Sequence, residues 1–287
     1  MTIEGEGTTH LHYVPARRGE IVGDTPSRRV EILSDDDALN ATWSRFDSGR
    51  EGADLHIHYK HTDLFYVLDG TFTLRLGIED RQVEASAGTL VRIPPRVVHG
   101  FRNASDGEVR FLNLHAPGRQ FAEYLRAMRD KRQFTYDQYP PPEDGVRSPS
   151  DARIGGHEFL HEQAGLKVAL LADVDEIAVS ENQMEAGVPS PPRHLHRRHV
   201  ESFYVIEGSM TFEAGEQAVM AEAGSWIQVP PGRPHTFSAT DGGPARFINI
   251  HTPSRGFGSF LRGLLDAGLA PERAVEQAGF DQVPVSE

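Results

Sequence analysis

HIHYKHTDLFYVLDGTFTL (residues 56–74) and HLHRRHVESFYVIEGSMTF (residues 194–212) align without a gap, and their reading decides the fold. Each opens on His-x-His, places an acid five residues after the second His, and runs on into alternating apolar residues. The first supplies His56, His58 and Asp63; the second supplies His194, His196 and Glu201. Two more blocks repeat in the same order: GTLVRIPPRVVHGF (88–101) with GSWIQVPPGRPHTF (224–237), and RFLNLHAPGRQFAEYLR (110–126) with RFINIHTPSRGFGSFLRG (246–263). They add His99 and His235, which follow the acids by 36 and 34 residues. A repeat of this length and order is the mark of a duplicated structural unit.

Between the matched blocks the signal is β. Short apolar runs such as Phe65–Leu68, Phe72–Leu76 and Leu90–Ile93 are punctuated by Gly70, Gly88, Pro94 and Pro95, the pattern of a sandwich or barrel. A helix is predicted after each set of strands, over Phe121–Arg132 and over Gly258–Ala267, with another over Pro271–Ala278. The stretch Phe134–Asp151, containing YPPPEDG, reads as a linker. An all-β fold of two domains follows, residues 1–150 and 151–287.

Composition narrows the function. A net charge of −13 with no basic block argues against nucleic acid as a partner. No apolar run approaches the ~20 residues that span a bilayer, and the N-terminal MTIEGEGTTHLHYV has no basic-then-apolar leader, so a cytoplasmic protein is expected. With no cysteine, thiolate catalysis and Cys-ligated metals are excluded. Any metal must be held by imidazole and carboxylate.

The spacing suits that chemistry. Residues i and i+2 of a strand share a face, so His56 and His58, with Cα atoms ~7 Å apart, converge on one ion at ~2.1 Å. Asp63 lies past a turn on the next strand, and His99 on a later one. Three imidazoles and a carboxylate leave positions open on a divalent transition metal (Fe, Mn, Ni, Co, Cu or Zn), one per barrel. The same holds for His194, His196, Glu201 and His235.

These blocks resemble the motifs of the cupin superfamily, and the pair resembles a bicupin of the quercetin 2,3-dioxygenase type. The first motif, His-x-His-x3–4-Glu-x6-Gly, is met by His194, His196, Glu201 and Gly208, and by His56, His58, Asp63 and Gly70. The second, Gly-x5-Pro-x-Gly-x2-His-x3-Asn, is met in part. Arg96 replaces the middle Gly in the first half, and Ala239 the Asn in the second. The resemblance implies two tandem cupin (double-stranded β-helix, jelly-roll) barrels with short helices after each. It implies a metal-dependent dioxygenase acting with O2 on a small phenolic or enolisable, flavonol-like molecule, with Glu201 or Asp63 as base. A homodimer is the candidate assembly. A decarboxylase, isomerase or cyclase, and a small-molecule-binding bicupin without turnover, are the alternatives.

Other features have plainer readings. His157–His161 matches the HExxH zinc-protease pattern, but flanking glycines leave barely two helical turns, so a surface strand is expected. His10 and His12 read as an edge strand. His61 and His199 read as solvated turn residues, with a role behind the ligands as the alternative. His115 and His251 share strand faces with Phe111 and Asn113, and with Phe247 and Asn249. Ser180-Glu181-Asn182, similar to the lid segment of oxalate decarboxylases, reads as a strand edge. Phe65, Phe203, Phe101, Phe237 and Trp226 are candidate cavity residues.

Overall fold

A computed structural model describes residues 10–163, 165–240 and 242–285. Its contacts divide the chain into two compact units, Arg18–Gly156 and His157–Glu287, the latter joined by the N-terminal segment through Arg17. The first unit carries a seven-stranded antiparallel sheet. Its order is Arg153–Ile154, Leu90–Ile93, Thr62–Asp69, Val109–Ala116, Asn40–Phe46, Arg28–Asp35 and Glu20–Thr25. Against it stands a three-stranded sheet of Arg81–Ser86, Thr71–Leu76 and His99–Arg102.

The second unit repeats this plan. Its seven strands run His12–Val14, Trp226–Val229, Val200–Glu207, Ala245–Thr252, Ile177–Met184, Leu166–Val174 and Glu158–Gln163. The facing sheet has five strands: Gln217–Glu222, Ser209–Ala214, His235–Ala239, His194–His196 and Gln282–Pro284. Even the bulges match: register slips between Arg110 and Phe111 in one unit and between Val205 and Glu207 in the other, on the corresponding strand pair.

The contacts place the division after Gly156, and the N-terminal segment through Arg17 groups with the second barrel. Strand His12–Val14 pairs with Trp226–Val229, and the Tyr13 hydroxyl donates to the carbonyl of Met220. In the first unit Arg153–Ile154 fills the equivalent edge beside Leu90–Ile93. In both barrels a short strand thus pairs the backbone groups that Leu90–Ile93 and Trp226–Val229 would otherwise leave open. The residues on which the leader reading rests lie largely outside those described. No helix among the described residues is long and apolar enough to cross a membrane.

The helices fall in the segments expected after each set of strands: Phe121–Arg129, Phe257–Leu261 continued by a π-helical turn Arg262–Asp266, and Pro271–Ala278. Inward-facing phenylalanines fill each barrel, with Phe65, Phe72 and Phe111 in one and Phe203, Phe212 and Phe247 in the other. Gly70 and Gly208 make the tight turns after the strands that begin near the acids. Their φ values are +77° and +71°, and an added Cβ would lie 2.3 and 2.2 Å from the carbonyl oxygens of Glu108 and Pro244. Only glycine fits both the dihedral and the space. Arg96 holds φ at +73°, close to the +78° of Gly232, so the turn keeps its shape where the motif's glycine is missing.

Candidate metal centres

Each His-x-His segment is gripped from both sides. His194 pairs with His235 on one side, and residues 194–196 pair with Pro284, Val283 and Gln282 on the other. In the first unit His56 and His99 exchange backbone hydrogen bonds of 2.8 and 2.9 Å, while Ile57 does the same with Tyr139. Alternation then buries Ile57 behind the segment and turns His56 and His58 inward. All eight sequence-selected side chains come together in two buried groups: His56, His58, Asp63, His99 and His194, His196, Glu201, His235. Within each group one candidate donor atom per residue lies within 4.8 Å of the others.

The hydrogen bonds decide which ring nitrogens face inward. Nδ1 of His56, His58 and His99 contacts the carbonyls of Asp54, Asp137 and Val97; Nδ1 of His194 and His235 contacts those of Pro192 and Arg233. A carbonyl only accepts, so Nδ1 carries the proton in each, and Nε2 presents a lone pair. His56 Nε2 and His58 Nε2 then oppose each other at 3.1 Å with no proton between them. Lone pairs and a carboxylate converging in a buried space call for a cation. The donor set therefore fits a divalent metal held by imidazole and carboxylate, one per barrel.

The two groups differ at the acid. Glu201 Oε2 is 2.9 Å from His196 Nε2 and 2.6 Å from His235 Nε2. Asp63, one methylene shorter, stands 3.8 Å from His58 and 3.2 Å from His99. In both, the second carboxylate oxygen accepts from an amide, Asn249 at 2.9 Å for Glu201 and Asn113 for Asp63. Burial opposes ionisation, yet the surrounding imidazoles hold both carboxyls well below the usual range. Burial pushes His56 and His196 below the usual imidazole value, and His194 down to about 4. For His235 burial pulls the same way, but Glu201 beside it wins and raises it.

Behind the ligands runs a chain of polar side chains that the turn reading of His61 and His199 did not foresee. Both are buried, not solvated. Asn249 Oδ1 lies 3.0 Å from His251 Nε2, His251 Nδ1 lies 2.8 Å from His199 Nε2, and His199 Nδ1 lies 2.6 Å from Asp281 Oδ1. In the first unit Tyr136 is inserted: its hydroxyl lies 2.9 Å from His115 Nδ1 and 3.1 Å from His61 Nε2, and His61 Nδ1 lies 3.0 Å from Asp137. Asp137 also accepts from the backbone N–H groups of Tyr59 and Lys60, and Asp281 from that of Arg198. The supposed linker is therefore structural. Its signal was a fourth repeat, TYDQYP (135–140) against GFDQVP (279–284).

The remaining sequence candidates sort cleanly. His115 and His251 face the cavities as well as being hydrogen-bonded, each stacked on a helix phenylalanine, Phe121 or Phe257. Glu158 lies on a strand and pairs with Arg262, as a surface strand and not a protease helix requires. Ser180-Glu181-Asn182 sits mid-sheet instead of at an edge, with Glu181 contacting Arg246 and Asn182 facing the cavity. Phe101 and Phe237 line cavities, whereas Phe65, Phe203 and Trp226 are buried and line neither. Trp226 alternates with core residues Ile227 and Val229, so it faces the other side of the sheet.

The cavities are unlike. That of the first unit, about 170 Å³, is bordered by Arg28, Ser44, Tyr124 and Gln138 as well as His56, His58 and Asp63. That of the second, about 310 Å³, reaches His194, His196 and Glu201 between Leu166, Met184, Phe247, Phe260, Leu261 and Leu264.

Comparison with known sequences places this geometry. A cupin-domain profile matches residues 42–115 and 182–251, together half of the chain and one match per barrel. The chain belongs to the cupin family. As a bicupin it resembles solved structures across nearly its whole length. An oxalate decarboxylase from Lactobacillus farciminis, in a formate complex, is 13% identical, with 94% of this chain and 97% of that one covered at a TM-score of 0.59. Protein Ylba from E. coli gives 12%, 86%, 92% and 0.61, and the Momordica charantia 7S globulin 14%, 84%, 84% and 0.57. Likeness at this identity shows the bicupin fold alone. No curated protein sequence matches the chain.

Proposed function

We propose that this bicupin is a metal-dependent dioxygenase whose C-terminal barrel converts an apolar, phenolic or enolisable molecule. The observation that carries the reading is the second cavity. It is about 310 Å³, walled by phenylalanine and leucine, and ends on the His194, His196, His235 and Glu201 group. That volume is at the lower end of sites for ring-sized ligands, and such walls with few polar groups select flat apolar bodies. A divalent transition metal bound there supplies Lewis-acid chemistry and, where redox-active, O2 chemistry.

The chain's own residues supply the rest. Glu201 is ionised and accepts only, so it is the group on hand to take the proton of a substrate hydroxyl. Asn249 fixes its Oε1 at 2.9 Å, and the chain through His251 and His199 to Asp281 fixes Asn249. Phe247, Phe260 and Leu264 exclude water and orient the ring. Asp63, His56, His58 and His99 form the matching set in the first barrel. Decarboxylase, isomerase and cyclase chemistry on the same centres is the second reading, favoured by the cationic lining of the first cavity.

The test is O2 consumption by metal-loaded protein with a flavonol, a catechol and a 1,3-dicarbonyl, beside Glu201→Gln. Uptake lost in the variant supports the reading. No uptake with Fe, Mn, Ni, Co or Cu overturns the oxygenase assignment.

A further inference from the structure

Sheet register pairs the two barrels position by position. Arg28 stands opposite Phe46, and Leu166 opposite Met184, at the same place in equivalent hairpins. Both face their cavities. The helix that closes each cavity repeats the contrast: FAEYL (121–125) aligns with FGSFL (257–261), so Tyr124 answers Phe260. One cavity is cationic and hydroxylated where the other is hydrocarbon.

Arg28 has no carboxylate partner among the described residues, and its Nε is buried without a hydrogen bond. Its guanidinium lies 5.5 Å from the centre of the Phe46 ring. Arg50 is close enough to act on it electrostatically, and its Nε is likewise buried and unpartnered. Other arginines of this unit are satisfied: Arg29 by Glu31, Arg45 by Asp47, Arg126 by Glu20. The chain has 42 acidic residues for 29 basic ones, so carboxylates are not scarce. Leaving two part-buried guanidiniums without an anion costs stability, unless an anion arrives from outside.

We propose that the first barrel binds a small organic carboxylate, whose charged end is taken by Arg28 and whose body lies between Phe46, Phe101 and Phe111 facing His56 and His58. A guanidinium fork matches a carboxylate with two parallel hydrogen bonds, and the aromatic walls suit a planar body. The cavity, about 170 Å³, admits a single small ring. The second barrel, with Leu166 and Phe260 in these places, does not take the anion. The inference rests on the functional reading only for the claim that the bound carboxylate faces a metal centre.

The probe is benzoate, with neutral benzamide as its isostere, titrated calorimetrically into the full-length protein. The expected result is one benzoate per chain, bound at least tenfold more tightly than benzamide. Arg28→Leu, which installs the second barrel's residue, abolishes that preference while metal content stays unchanged, and Arg28→Lys retains part of it. Equal binding of benzoate and benzamide, or a preference untouched by Arg28→Leu, overturns the proposal. A preference that persists in protein unable to load metal upholds the anion site and removes the enzyme reading alone.

Discussion

Oε2 of Glu201 lies 2.6 Å from Nε2 of His235, whereas Asp63 in the matching place stands 3.2 Å from Nε2 of His99. The missing methylene also moves the carboxylate away from the second imidazole, 3.8 Å for His58 against 2.9 Å for His196. The C-terminal centre is accordingly the better assembled of the two. Chelator titration followed by metal analysis is expected to strip the first centre before the second. Glu201→Asp brings the two into step, and Asp63→Glu tightens the first.

Acid is expected to unfold the metal-free protein early. His56, His194, His196, His115 and His251 are held below the ordinary imidazole value by burial. The unfolded chain therefore binds more protons than the folded one below about pH 6.5. Stability falls with pH from there down towards 4, on the order of 1 kcal/mol per pH unit for each such imidazole. His235 opposes this, being raised. Asp63 and Glu201, held low, add their own loss below about pH 4.5. Melting curves between pH 7.5 and 5 check the slope; a flat profile would show that these rings are not buried neutral.

Gly208→Ala is expected to cost about 2 kcal/mol or more. The new Cβ meets the Pro244 carbonyl at 2.2 Å with φ at +71°, and both the clash and the left-handed dihedral act against it. Urea unfolding measures the loss. Gly232→Ala, at φ +78° but with nothing within 4 Å of the new Cβ, is expected to cost only the dihedral term, about 1–2 kcal/mol.

Asp281→Ala removes the acceptor for the Arg198 backbone N–H and for His199. Two donors beside the second centre lose their partner, at about 1–3 kcal/mol. His199 is freed to turn, and with it the chain that holds Asn249 against Glu201. Metal competition is expected to show about tenfold weaker binding at that centre. Asp137→Ala does the same at the first.

The bicupin was legible because duplication makes weak signals strong: His56, His58, Asp63 and His99 gain meaning from their second copy. The helices were expected in the matched segments after each set of strands, and the surface reading of His157–His161 came from the glycines around it. What escaped the sequence was contact at a distance. Asp137 and Asp281 follow the barrel's last strand by some twenty residues or more and return to a turn beside the ligands, and the intervening helix Pro271–Ala278 breaks the spacing between copies. Cavity lining was equally hidden. Phe65 points inward like Asp63 but is screened by Phe101 and Phe111, at ring separations of 5.1 and 6.0 Å.

The most direct test of the two-centre account is the metal content of full-length protein after reconstitution, by mass spectrometry on the native chain and on variants. Two divalent ions per chain are expected, falling to one in His194→Ala/His196→Ala and to one in His56→Ala/His58→Ala. Retention of both ions in either variant, or fewer than one tightly held ion in the native chain, would contradict it.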